Sequence, residues 1–108
     1  MQKTTINGQA VEVCVIAADG NEAADGLQQG ERELLAKIDA ALRADAGFAK
    51  ACPDARLVRV DSNRGFSDRD AGRFYLRYQH KGGMAEFWGN LDDVLTVDMK
   101  QGVVCVVG

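Results

Sequence analysis

The stretch Arg73-Phe74-Tyr75-Leu76-Arg77-Tyr78-Gln79-His80-Lys81-Gly82-Gly83-Met84-Ala85-Glu86-Phe87-Trp88 carries the clearest structural signal in the chain. Phe74, Leu76 and Tyr78 alternate with Arg73, Tyr75, Arg77 and Gln79, the period-two pattern of a strand with one buried face. Lys81-Gly82-Gly83 then supplies residues that tolerate the positive φ of a tight hairpin turn. Ala85 and Phe87 continue the inward face, and Met84, Glu86 and Trp88 the outward one. Placing the turn at Lys81-Gly82 or at Gly82-Gly83 leaves these facings unchanged. The outward face therefore collects Tyr75, Arg77, Gln79, Met84, Glu86 and Trp88, an unusual set to leave bare to water.

Downstream, Val94-Leu95-Thr96-Val97 reads as another strand, Met99 to Gly102 as a turn, and Val103 to Val107 as a final strand. Its valine run predicts burial on both faces, and so a central position in the sheet. Upstream, Arg56 to Asp61 reads as a strand with Val58 and Val60 inward and Leu57, Arg59 and Asp61 outward. Ser62 to Gly72, charged and glycine-containing, reads as an exposed and comparatively mobile loop.

Glu31 to Lys50 carries the helical signal. Leu34, Leu35, Ile38, Ala41, Leu42 and Ala49 fall at i, i+3, i+4 and i+7 spacings, with Phe48 extending the face. Glu31 and Glu33 suit the positive end of the helix dipole. Gly47 weakens the end of the helix, and Pro53 forces Cys52 out of helical geometry. Residues 17–30 read as a loop, with one short helical turn around Glu22 to Gln29 as the alternative. Near the N-terminus, Asn7-Gly8 between strand-like runs signals a hairpin. Its second strand places Val11, Val13 and Val15 on one face and Glu12, Cys14 and Ile16 on the other, which predicts an interior strand.

The expected fold is a single α+β domain over residues 1–108, with the order ββ-α-β-ββ-ββ. One curved antiparallel sheet of about six to seven strands packs on one main helix. The 108 residues suffice for one core, and 46% hydrophobic with 27% charged residues is an ordinary globular balance. The longest apolar run is strand-sized, so no membrane span is expected. The N-terminus lacks an apolar segment of the kind a secretory signal requires. Three cysteines without paired spacing point to reduced thiols and a cytoplasmic location. Cys14 and Cys105 sit in apolar strand patterns and are expected to be shielded.

The net charge of −3 is unevenly spread. Residues 10–46 hold eight acidic and three basic side chains, whereas residues 56–81 hold seven basic and three acidic ones. Two solvated surfaces of opposite sign explain this. So does self-complementarity in a dimer, or an anionic partner for the basic half.

The residue types that could carry chemistry form no recognisable motif. His80 is the only histidine and reads as an exposed residue beside a turn, with no local sequence pairing it to a cysteine. The cysteines and histidine are too dispersed for a zinc site. Asp61 to Gly72 departs from a calcium loop at its sixth position, Phe66, and its twelfth, Gly72. Asp92-Asp93 reads as a turn signal, and Gly82-Gly83 lacks the helix and lysine of a phosphate loop. No cofactor is implied.

What remains is the outward face of the hairpin. Arg59, Arg73, Tyr75, Arg77, Met84, Glu86 and Trp88 are the types that protein interfaces favour. The expectation is a small, non-catalytic binding or regulatory protein whose partner is another protein or a second copy in a homodimer. An arginine stacked on Trp88 or paired with Glu86 would instead satisfy the face internally, and another strand or the loop 62–72 could cover it. Nucleic acid is a weaker fit, because the total charge is acidic and there are only five lysines. The alternative is a small-molecule-binding protein or small enzyme with a pocket between helix and sheet, its mouth drawing on Phe48, Cys52, Tyr78 and His80.

Overall fold

The structure, a computed structural model, describes residues 2–64, 74–81, 83–90 and 104–107, the last four as backbone only. Six strands form one sheet: β1 (Gln2–Ile6), β2 (Gln9–Ile16), β3 (Arg56–Asn63), β4 (Phe74–His80), β5 (Gly83–Gly89) and β6 (Val104–Val107). Helices α1 (Gln29–Ala44) and α2 (Ala46–Ala51) lie between β2 and β3 in sequence. The strands stand in the sheet in chain order.

Both hairpins take the expected form. Asn7 and Gly8 have φ of 49° and 80°, the positive values of a two-residue turn that matches strand twist. Ile6 pairs with Gln9, and His80 with Gly83. Val11, Val13 and Val15 are buried, and β2 is interior, between β1 and β3.

The sheet is mixed, not antiparallel throughout. β2 and β3 are parallel, with Val13 opposite Val60 and Ile16 opposite Asn63. The helical segment between them is the reason. It carries the chain back along the sheet, so that β3 starts at the end where β2 started. β3 also runs two residues further than expected, through Ser62 and Asn63. At the other side, β6 pairs with β5 alone and stands last among the described strands, where a central position was expected. The expected strand 94–97, the turn at 99–102, the loop 65–72 and the Asp92-Asp93 pair lie outside the described residues.

The single expected helix is broken at Asp45. Its backbone leaves helical geometry at ψ 124°, and its carboxylate accepts from the Phe48 backbone N–H at 2.8 Å, an N-cap that starts α2. The break lies two residues before Gly47. Phe48 lies in the core as expected, 3% exposed, whereas Ala49 is exposed, against the facing expected of one continuous stripe.

β3 departs from simple alternation as well. Leu57 pairs with Tyr78 and Arg59 with Arg77, so Val58 is an extra residue, a β-bulge. Leu57 and Val60 are therefore both fully buried, whereas Val58 is only half-buried. This reverses the facings expected for Leu57 and for Val58, which borders a hollow on the other side of the sheet.

The core gathers Leu35, Ile38, Leu42 and Phe48 from the helices with Val11, Val13, Val15, Leu57, Val60, Phe74, Leu76 and Phe87 from the sheet. One charged group sits among them. Asp39 is 0% exposed, four residues after Leu35 on the buried stripe of α1. Tyr78 donates its hydroxyl to Oδ1 at 2.5 Å, and Asn7 donates its amide to Oδ2 at 2.9 Å. Gln9 Nε2 and Arg43 Nε also donate to Oδ2, at 3.2 and 3.1 Å. The Gln9 carbonyl in turn accepts from Arg43 and from the Leu57 backbone N–H.

Leu76→Ala should destabilise by about 2–5 kcal/mol, as a cavity in a filled core does. Asp39→Ala should cost about 3–5 kcal/mol, because it strands Arg43 and three polar donors. Denaturant melts measure both, and a loss under about 0.5 kcal/mol for either would place that residue among surface positions. Burial, reinforced by the negative charge of Asp39 and the hydrogen bond to it, pushes the Tyr78 hydroxyl far above its ordinary titration range. In the unfolded chain the tyrosine releases its proton near pH 10, where the folded state retains it. Tyr78 therefore contributes stability that is intact below about pH 10 and declines above it, at up to about 1.4 kcal/mol per pH unit. Alkaline melts of Tyr78→Phe should show a flatter decline, with Tyr75, also shifted upward, supplying a remainder.

Candidate functional site

Both helices pack on one side of the sheet. The opposite, outer side has no described layer over it, and its side chains follow from register. Trp88 stands opposite Tyr75, Glu86 opposite Arg77, and Met84 opposite Gln79. Arg77 also faces Arg59, and Tyr75 faces Asp61. β2 then adds Glu12 beside Arg59 and Cys14 beside Asp61, and β1 adds Lys3 beside Glu12. One row thus crosses five strands as Lys3, Glu12, Arg59, Arg77 and Glu86.

Of the residues that the alternation pattern assigned to this face, Arg59, Tyr75, Arg77, Met84, Glu86 and Trp88 come together here. Arg73 lies outside the described residues. The register selects Glu86, directly across from Arg77, as its ionic partner, with NH2 to Oε1 at 3.3 Å. Arg59 pairs with Asp61 at 3.2 Å. Such half-exposed pairs contribute little stability, at most about 1 kcal/mol each. Two arginines placed directly opposite repel, so each pair chiefly offsets that cost. Burial, and next the hydrogen bond to Glu86, hold the Tyr75 hydroxyl above its usual range against the opposing pull of Arg77. Trp88 is 41% exposed, the one large hydrophobic side chain so exposed among the described residues.

Two open hollows indent this face. The first, about 400 Å³, is rimmed by Lys3, Arg56, Arg59 and Arg77, with Glu12 the lone carboxylate and Val58 and Met84 adding apolar surface. The second, about 340 Å³, is lined by Cys14, Ile16, Asp61, Asn63 and Trp88. Arg59 borders both. Lys3, Glu12 and Arg56 were not in the expected set. Their membership depends on the parallel β2–β3 ladder and the bulge, neither of which leaves a local signal.

The residues of the alternative reading lie on the helix side. Phe48, Cys52, Tyr78 and His80 are all buried, at 3%, 1%, 0% and 8% exposure. His80 is thus not the exposed turn residue that its position suggested. The Phe48 and Tyr78 rings meet edge to face with centroids 5.1 Å apart, and the Arg43 guanidinium lies 5.9 Å from the Tyr78 centroid. Phe48 and Cys52 border a hollow of about 190 Å³ with Arg43 and Asp54, which Tyr78 and His80 do not line. Burial pushes the Cys52 thiol above its usual range, away from thiolate reactivity.

Among the described residues no cluster of three or more histidine, cysteine or acidic side chains could hold a metal ion, and no helix is long and apolar enough to cross a membrane. Cys14 and Cys52 are free thiols, and the Cys105 side chain lies outside the described set. Cys14 is only half-buried and borders an open hollow, so the shielding expected of it fails. A charged thiol reagent should label Cys14 well before Cys52 in the native protein. The reverse order, read by mass spectrometry, would contradict the outward facing of Cys14.

No family model, no curated protein and no solved structure matches this chain.

Proposed function

We propose that the protein is a small non-catalytic binding module that recognises a protein partner, or a second copy of itself, through the outer face of its sheet. The observation that carries this reading is Trp88. It stands exposed on a face with no described layer, beside Tyr75 and in a field of arginines. Tryptophan, tyrosine and arginine are the side chains from which interface anchors are most often built. The opposite side supports the same reading. There the side chains that would have lined a helix–sheet pocket are packed against one another, with Tyr78 committed to Asp39. The buried Cys52 thiol offers no activated nucleophile. A cytoplasmic, regulatory role belongs to this proposal, and the unlinked thiols are compatible with it.

The pocket reading keeps one point in its favour, the hollow of about 190 Å³ beside Phe48 and Cys52. That volume is below the usual range for small-molecule sites, about 300–1,000 Å³.

Trp88→Ala should leave the thermal melt close to that of the parent and weaken association at least about 30-fold, the cost of truncating an interface anchor. Arg77→Ala should lose less, and added salt should mimic part of its loss. Sedimentation and partner titration beside melts of both variants provide the measurement. Unfolding by Trp88→Ala would assign the residue to the core. An unchanged association with an intact fold would leave the face merely solvated and move the pocket reading ahead.

A further inference from the structure

The first hollow owes its existence to the bulge. β2 and β3 are paired from Glu12 and Arg59 onward, whereas Arg56 and Leu57 pair only with β4, and Val58 is the unpaired extra residue. The Leu57 backbone N–H is satisfied by the Gln9 side chain at 2.7 Å, not by the backbone of β2. The two strands therefore part below the Glu12–Arg59 row, and cationic side chains surround the opening.

Two of those cations have no ionic partner among the described residues. Lys3 makes no salt bridge, and Arg56 contacts only the neutral Gln79 carbonyl at 3.2 Å. The other two, Arg59 and Arg77, are held directly opposite each other, and the buried Nε of Arg77 has no acceptor among the described residues. A repulsive pair of guanidinium groups beside unused donors is an arrangement that an incoming anion would relieve.

The geometry points to this hollow as the seat of a carboxylate from an acidic, extended segment of a protein partner, with an apolar side chain of the same segment laid in the second hollow against Ile16 and Trp88. This rests on the outer face being a protein-binding surface, and it names the chemistry of the partner. The planar guanidinium fork matches a carboxylate through two parallel hydrogen bonds. The two hollows adjoin at Arg59. The Arg59–Arg77 row and the Asp61–Tyr75 row are two residues apart along each strand, about 6.6 Å, which is also the separation of same-side residues in an extended peptide. An acidic residue followed two positions later by an apolar one therefore fits both hollows at once. A polyphosphate strand fits worse, because Glu12, Asp61 and Glu86 are interleaved with the arginines and would repel it.

Trp88 is the only tryptophan, so its fluorescence reports on the site without a label. The probe is a blocked peptide, acetyl-Gly-Glu-Ser-Leu-Gly-amide, beside its glutamine counterpart. The glutamate peptide should shift Trp88 fluorescence saturably, with affinity at least about tenfold above that of the glutamine peptide. Raising the salt to about 0.5 M should remove most of that difference. The double variant Lys3→Gln with Arg56→Gln breaks no ion pair among the described residues. It should keep the parent melt and lose about fivefold or more of the glutamate preference. Equal binding of the two peptides would overturn the carboxylate assignment while leaving the face as an interface, which the Trp88→Ala association experiment judges separately. Absence of any saturable change with the glutamate peptide would overturn it, as would tighter binding of a single-stranded oligothymidylate.

Discussion

A carboxylate with no exposure to water is the constraint on which the rest of this structure depends. Asp39 would be prohibitively costly in an apolar core without full pairing, since an uncompensated buried charge costs several kcal/mol. Its partners come from distant parts of the chain: the turn residue Asn7, Gln9 at the start of β2, Arg43 one turn along α1, and Tyr78 on β4. Gln9 passes the connection on to the backbone of Leu57, at the start of β3. Apolar contacts tolerate small slips of a helix on a sheet. This network does not, because any slip leaves a donor or the charge unmet. It therefore holds α1 at one position over β2, β3 and β4, and alternation along those strands then sets what the far side presents.

Much of this was legible locally. The period-two pattern around Phe74, Leu76 and Tyr78, the Asn7-Gly8 turn and the stripe of Leu35, Ile38 and Leu42 each depend on near neighbours, and each appears as read. Asp39 escapes a stripe defined by apolar residues alone. Its place four residues after Leu35 was a visible sign that a charge lay on the buried face. The helix break at Asp45 likewise had a signal, an N-capping residue type three positions before Phe48. The parallel ladder and the bulge at Val58 had none. They arise from the way in which separate segments meet, and no short window of sequence contains that information.

The candidate site divides along the same line. Tyr75, Arg77, Glu86 and Trp88 belong to one hairpin, so their common facing followed from alternation. Lys3, Glu12 and Arg56 reach the same surface only through pairing across the sheet, and with them come the cationic groups that have no ionic partner among the described residues. The irregularity in β3 thus has a double role. It buries Leu57 beside the Asp39 network on one side and parts the strands on the other.

The parallel ladder between β2 and β3 also shapes how the chain must assemble. β1 with β2 and β4 with β5 are hairpins whose partners meet across two-residue connections. By contrast, β2 and β3 meet only after the whole helical segment has been brought round, and the Leu57 to Gln9 bond closes over 48 positions. Closing a loop of that length costs several kcal/mol of chain entropy before any contact offsets it. The sheet is therefore made of two locally coded halves joined along one seam. The seam adjoins the buried carboxylate on one side and the hollow on the other. Non-local pairings of this kind form late and slow the search for the native state. The surface that the two halves share exists only once that search is complete, so a partially folded chain would carry the tryptophan hairpin without the cationic setting beside it.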